Sequence, residues 1–253
     1  MLDDRTVYVR LLTPRRLAKK FVIFGQGRSG SSLLVDLLNS SPQVYCEGEI
    51  LERKVPFPHY FVAARANRSP KPIFGFKVKV YQLTKKQGVM EPRRFLQRMV
   101  GDGWNLIYLK RTNILRHAMS SVVAAHRGAS HHEVSQGPLR LKKFYVETSD
   151  LIRRIKKRER LLQEEALILH DLPYSSVHYE TDLLRSECHQ DVTNRLFDYL
   201  NIARAPVKTK LMRTGKDDLS DIIKNYDEVV QVLAENEYAG YLGANWASQS
   251  RKL

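Results

Sequence analysis

Cysteine is nearly absent. Cys46 and Cys188 are the only two in 253 residues, and they lack the paired spacing of a metal knuckle or redox motif, so neither a disulfide framework nor a zinc ribbon organises the chain. Both read as ordinary buried thiols of a reducing compartment. Long apolar runs are also missing: no stretch reaches the ~18 residues that a membrane helix needs. The basic N-terminal segment, residues 1–20 with Arg5, Arg10, Arg15, Arg16, Lys19 and Lys20, has no apolar run of signal-peptide length. The expectation is a soluble, cytoplasmic protein, with a trimmed membrane anchor left open. No internal repeat or low-complexity segment is present. His117, His126, His131 and His132 have no ligand-like spacing with a carboxylate or thiol, so no metal is expected. Negative charge is scarce: 27 Asp and Glu stand against 42 Lys and Arg, a formal +15. Such a surface attracts polyanions and allows peripheral contact with a membrane. Without interleaved aromatics or an RNA-binding signature, nucleic acid is not the expected partner.

Glycine, in contrast, is concentrated where it matters. The apolar run Phe21–Phe24 leads into Gly25-Gln26-Gly27-Arg28-Ser29-Gly30-Ser31-Ser32 and then Leu33, Leu34, Leu37 and Leu38. A strand, a glycine-rich turn and an amphipathic helix form a phosphate site, because the turn can curl around an anion and the first helical amides are unpaired donors. Gly25 to Gly30 has the spacing of G-x-x-x-x-G-K-[ST], but Ser31 stands where the lysine belongs, and the cation is displaced to Arg28. Gly25, Gly27 and Gly30 also satisfy G-x-G-x-x-G, with Glu47 or Glu49 near the place of a ribose ligand. The glycines alone do not choose between nucleotides.

Strand-like runs at Phe21–Phe24, Val44–Cys46, Ile73–Val80, Leu106–Leu109 and Ser175–Tyr179 alternate with helical patterns. Helices are predicted after the glycine loop, after Thr112-Asn113, from about Leu141 to His170, over Glu187–Leu200 and around Leu219–Ala234. The fold class is α/β: a three-layer α/β/α sandwich with a central parallel sheet and a P-loop-like nucleotide site. A single domain spans 1–253. Gly128 to Pro138 reads as a loop, and 203–220 as an active-site loop. The block Arg153–Arg160 reads as a solvated helix face.

A second anion site is predicted where the strand ending at Leu109 gives way to Lys110-Arg111-Thr112-Asn113, with Ser120 one to two turns into the next helix. Two such junctions suit a ligand phosphorylated at two places. Glu47 and Glu49 share one side if their strand extends that far, and so do Lys77 and Lys79 on the third strand.

In these motifs the chain resembles the sulfotransferases that use 3′-phosphoadenosine 5′-phosphosulfate, in particular the carbohydrate and bacterial glycolipid branch, whose loop reads G-x-x-R-S-G-[ST]-[ST]-[LM]-L. Gly25 to Leu34 match it. Pro42-Gln43-Val44 followed by Gly48-Glu49, Phe74–Lys77, Tyr179–Leu183 and Asn225–Glu228 add weaker similarity in the expected order. The resemblance implies that Gly27, Arg28, Ser29, Gly30, Ser31 and Ser32 cradle the 5′-phosphosulfate, and that Arg111 and Ser120 bind the 3′-phosphate. The Arg111 to Ser120 separation is nine where eight is usual, so Arg116 is the alternative to Arg111. Arg28 would neutralise the transferred group and Glu49, or Glu47, would be the base, with no metal. Glu49→Gln should then abolish transfer and leave nucleotide binding intact. Arg213-Thr214-Gly215-Lys216 is similar to an element that closes over the 3′-phosphate, and His126 could line the acceptor pocket. The acceptor would be a hydroxyl of a carbohydrate, glycolipid or small molecule, and the product 3′,5′-bisphosphoadenosine. The alternative is an NAD(P)-dependent oxidoreductase. Oligomeric state is left open.

Overall fold

The computed structural model describes residues 19–127, 142–211 and 218–242. Five strands, β1 (Lys19–Gly25), β2 (Val44–Glu47), β3 (Ile73–Val78), β4 (Trp104–Lys110) and β5 (Tyr174–His178), form one parallel sheet in the order β2-β3-β1-β4-β5. All five expected strands are present. The third ends at Val78, two residues before the predicted end.

The chain divides into two compact units: one runs through Lys110 and resumes over Glu164–Thr209, and the other holds Arg111–Gln163 and the chain from Lys210. The first unit contains the sheet. Period-two alternation gives the sheet two apolar faces. Phe21, Ile23, Ile73, Ile107, Leu109 and Val177 pack with helices α1 (Ser31–Asn39) and α6 (His189–Leu200). Val22, Phe24, Phe74, Phe76, Leu106 and Tyr108 pack with α2 (Pro58–Asn67), α3 (Pro92–Gly101) and the last turn of α5 (Thr148–Leu169). Helices on both faces of a parallel sheet make the expected three-layer sandwich.

The second unit is helical. Its core joins Leu115, Met119 and Val123 of α4 (Ile114–Arg127), Leu151 and Ile155 of α5, and Val229 and Leu233 of α7 (Tyr226–Glu235). Phe144, expected within the long helix, instead pairs in extended form with Ile223, through Phe144 N–H to the Ile222 carbonyl at 3.0 Å and Lys224 N–H to the Phe144 carbonyl at 2.9 Å. The helix starts at Thr148 because Phe144 and Val146 serve this core from an extended segment. The last predicted helix likewise begins at Tyr226, with Leu219, Ile222 and Ile223 packing from the turns before it. The predicted loop Gly128 to Pro138 lies outside the described residues.

Candidate functional site

β1 is the strand at which the sheet order reverses, with β3 on one side and β4 on the other. In open α/β sheets, ligands bind beyond the carboxyl ends of strands at this switch point. The glycine loop starts there. A Cβ on Gly25 would lie 2.1 Å from the Leu109 carbonyl oxygen, so only glycine lets the end of β1 run this tightly against β4. Gly30 adopts φ +89° directly before α1, and a Cβ there would lie 2.7 Å from the Tyr179 ring. Between them Arg28 is left-handed at φ +69°, an uncommon conformation for a residue with a side chain. Ser29 is buried and donates its hydroxyl to the Gln26 carbonyl at 2.6 Å, closing the turn. The Gln26 amide in turn reaches buried Glu165, which also accepts the Tyr108 hydroxyl at 3.1 Å. The loop therefore rests on a polar network under its first turn.

Ser31 and Ser32 open α1. Lys77 Nζ lies 3.1 Å from Ser32 Oγ and 3.4 Å from Ser31 Oγ. Lys79 packs along Gly27, where an added Cβ would lie 3.4 Å from both Cε and Nζ. One carboxylate joins the two ammonium groups: Glu49 Oε1 is 3.2 Å from Lys77 Nζ, and its Oε2 is 2.6 Å from Lys79 Nζ. Gln82, fully buried, donates from Nε2 to Glu49 and to Glu52, each at 2.7 Å, and accepts the Lys79 N–H at 2.9 Å. The side chains of Lys77, Lys79 and Glu49 are only 12%, 18% and 25% exposed. The lysines thus face the loop, away from bulk solvent. Burial alone would raise the Glu49 pKa, but the Lys79 hydrogen bond and the charges of both lysines outweigh it and hold the carboxyl below its usual range. Glu49 is an ionised acceptor at neutral pH.

Glu47 goes elsewhere. It ends β2 facing α2, where Arg65 grips it with Nε at 3.1 Å and a second nitrogen at 2.5 Å. The alternation expected of Glu47 and Glu49 required the strand to extend past Glu47, and it stops there. Gly48 then turns the chain, its carbonyl accepting from both Ile50 and Lys77 N–H at 3.2 Å. Of the two candidate carboxylates, only Glu49 stands with the loop and the lysines. Gln82, Glu52, Glu165 and Tyr108 carried no signal in the sequence; topology alone brings them in.

In the second unit, Arg111 is half-buried three residues before the start of α4. Asn113 caps that helix, its Oδ1 accepting the Arg116 N–H at 2.9 Å. Arg116 and Ser120 lie four residues apart on one helix face. Asp218, held below its usual range by the Ser220 hydroxyl and N–H, also feels the Arg116 charge. His126 stacks on Phe144, with ring centroids 4.4 Å apart, which accounts for it as a packing residue. Cys46 is buried, Cys188 is half-buried, and both are free thiols. Arg213, Thr214, Gly215, Lys216, His131 and His132 lie outside the described residues, as does part of the 203–220 loop. Among the described residues no group of His, Cys, Asp and Glu could hold a metal ion, and no helix is long and apolar enough to cross a membrane.

No protein-family model matches this chain. No curated protein matches it either. Among solved structures it is similar to the crystal structure of a sulfotransferase from Alicyclobacillus acidocaldarius, with 12% identity, a TM-score of 0.49, and 90% of this chain and 98% of that chain covered. A likeness that remote carries no functional argument.

Proposed function

We propose that this chain transfers a sulfuryl group from 3′-phosphoadenosine 5′-phosphosulfate to a hydroxyl of a carbohydrate, glycolipid or small-molecule acceptor. The observation that carries this reading is the cluster of Lys77, Lys79 and Glu49 around Gly27, Ser31 and Ser32, an anion cradle with an ionised carboxylate beside it. Sulfuryl transfer needs little covalent help, only alignment and stabilisation of charge as it builds. The amides at the start of α1, the Ser31 and Ser32 hydroxyls, Lys77, Lys79 and Arg28 supply the donors. Glu49 takes the acceptor hydroxyl proton. The acceptor oxygen then bonds to sulfur as the bond from sulfur to the 5′-phosphate oxygen breaks, and that oxygen keeps the electron pair. Arg111 or Arg116, with Ser120, is assigned to the 3′-phosphate through the family resemblance.

The dinucleotide alternative needs a carboxylate for the ribose hydroxyls. Glu47 is held by Arg65 and Glu49 by two lysines, which disfavours it. A thermal-shift comparison tests the choice. Stabilisation by 3′,5′-bisphosphoadenosine, none by NAD or NADP, and transfer of labelled sulfate to a hydroxyl acceptor are the expected results. The reverse nucleotide preference would reject the proposal.

A further inference from the structure

Beside the Glu49 cluster, the connections that follow β2 and β3 are lashed together by one buried side chain. Gln87 donates from Nε2 to the carbonyls of Leu51 at 2.8 Å and Arg53 at 2.6 Å, and its Oε1 accepts the Val55 N–H at 3.1 Å. Beyond these anchors apolar groups stand in water: Met90 is 95% exposed, Phe57 73% and Tyr60 47%. Phe57 is fixed between Pro56 and Pro58 at φ +45°, left-handed backbone that a bulky residue rarely adopts. Its ring meets Tyr60 edge-on at 6.5 Å, and the Arg98 guanidinium sits 5.3 Å from the Tyr60 ring centre. A strained backbone that holds an aromatic ring out into solvent contributes nothing to the core.

Single exposed apolar residues are ordinary. These occur with exposed Arg53, Lys54, Lys85 and Lys86 on the same two connections. The nearby carboxylates are already matched, Glu52 with Lys86 at 3.4 Å and Glu91 with Arg94 at 2.7 Å, so among the described residues Lys54 and Lys85 give the rim a positive excess. Apolar tips flanked by cations are complementary to the interface of an anionic bilayer, where the rings and thioether reach the acyl boundary and the ammonium groups meet headgroups. We propose that this rim seats on anionic phospholipid and presents the Glu49 site to an acceptor carried in that membrane. The second half rests on the transferase reading; the first does not.

Sedimentation of the whole chain with phosphatidylcholine vesicles, with and without phosphatidylserine, tests it. Binding is expected only to the phosphatidylserine vesicles. Phe57→Ser with Met90→Ser should weaken it by roughly ten-fold or more, and Lys54→Glu with Lys85→Glu by roughly five-fold or more per cation. Lys156→Glu with Arg160→Glu, on the exposed face of α5, should leave it unchanged. Absence of binding, equal binding to both vesicles, rim variants that bind like the parent, or loss confined to the α5 variant would each overturn the proposal. A 3′,5′-bisphosphoadenosine thermal shift on the same variants reports the nucleotide site independently. Vesicle binding that survives without that shift would sink the transferase reading and spare the rim.

Discussion

Glu49→Gln is the most informative perturbation, because that carboxylate is both the assigned base and the counter-charge of two half-buried lysines. It receives Lys79 at 2.6 Å, Gln82 at 2.7 Å and Lys77 at 3.2 Å. Glutamine keeps one acceptor oxygen and turns the other into a donor that faces a donor. One charge-assisted bond, worth about 1.5–3 kcal/mol, is lost, and solvent at the partly exposed side chain trims that figure. A cost of about 2 kcal/mol corresponds to a fall in Tm of roughly 4–8 °C for a chain of this size. Anion binding should move the other way. A carboxylate about 5 Å from an incoming phosphate repels it by about 3 kcal/mol at an effective dielectric of 20, before salt screening. The variant should therefore bind 3′,5′-bisphosphoadenosine about ten-fold tighter or better, where the sequence alone predicted no change.

Differential scanning fluorimetry and calorimetric titration measure these two terms, and single-turnover transfer measures the third. The variant should melt lower without nucleotide, recover more than the parent with it, and transfer nothing. A variant as stable as the parent, with unchanged nucleotide affinity, would refute the idea that Glu49 neutralises an anion-binding lysine pair. The sign with pH follows from the same contacts. The folded pKa of Glu49 is lowered, so its stabilising contribution is complete above the ordinary carboxylate value of about 4.3 and is lost as pH falls through the depressed folded value. Transfer by an ionised Glu49 should show no acid limb from neutral pH down to that range.

Glu47→Gln should lower stability by about 1–2 kcal/mol through the lost Arg65 grip and leave transfer intact; melting curves beside activity separate it from Glu49→Gln. Lys77→Met should weaken 3′,5′-bisphosphoadenosine binding by about ten-fold with a smaller change in Tm, since Lys79 still pairs Glu49, as titration calorimetry would show. Arg116→Ala should erase the preference for 3′,5′-bisphosphoadenosine over adenosine 5′-monophosphate if that arginine holds the 3′-phosphate, and Arg111→Ala should do so if Arg111 does. Gly25→Ala forces a Cβ to 2.1 Å from the Leu109 carbonyl and should cost about 3 kcal/mol or more, read as loss of folded protein or of cooperative melting.

The sheet was legible because its strands are short apolar runs bounded by turn residues, and the glycine loop because few other segments need three glycines in six positions. Helix α2 was not legible: His59, Phe61, Val62, Ala64 and Ala66 are buried around most of its circumference, so it shows no stripe. Helix α3 does bury a face through Phe95, Leu96 and Met99, but it is short and starts at a proline. The start of α5 was misplaced because Phe144 continues the apolar pattern while pairing with Ile223, far along the chain. Glu47 and Glu49 were inseparable because the alternation rule holds only inside a strand, and β2 ends between them. For Lys77 and Lys79 alternation predicted only a shared side; their partners, Ser32, Gly27 and Glu49, come from other elements.

The lysine missing from the G-x-x-x-x-G-K-[ST] pattern thereby finds a physical substitute. Ser31 occupies its position, and Lys77 supplies an ammonium to the same helix start from the neighbouring strand. A lysine within the loop is placed by the loop's own backbone, whereas Lys77 is placed by the β1 and β3 ladder, in which it pairs with Ile23 just before the turn. A one-residue slip of that ladder would turn Lys77 to the opposite face. The register is held by a close fit next along the strand: Gly75 lies under Phe21, where a Cβ would come within 2.1 Å of the ring. The charge beside the glycine loop therefore depends on a glycine and a phenylalanine in the core of the sheet. Substitutions at Gly75 or Phe21 belong with the site even though both residues lie in the interior of the sheet.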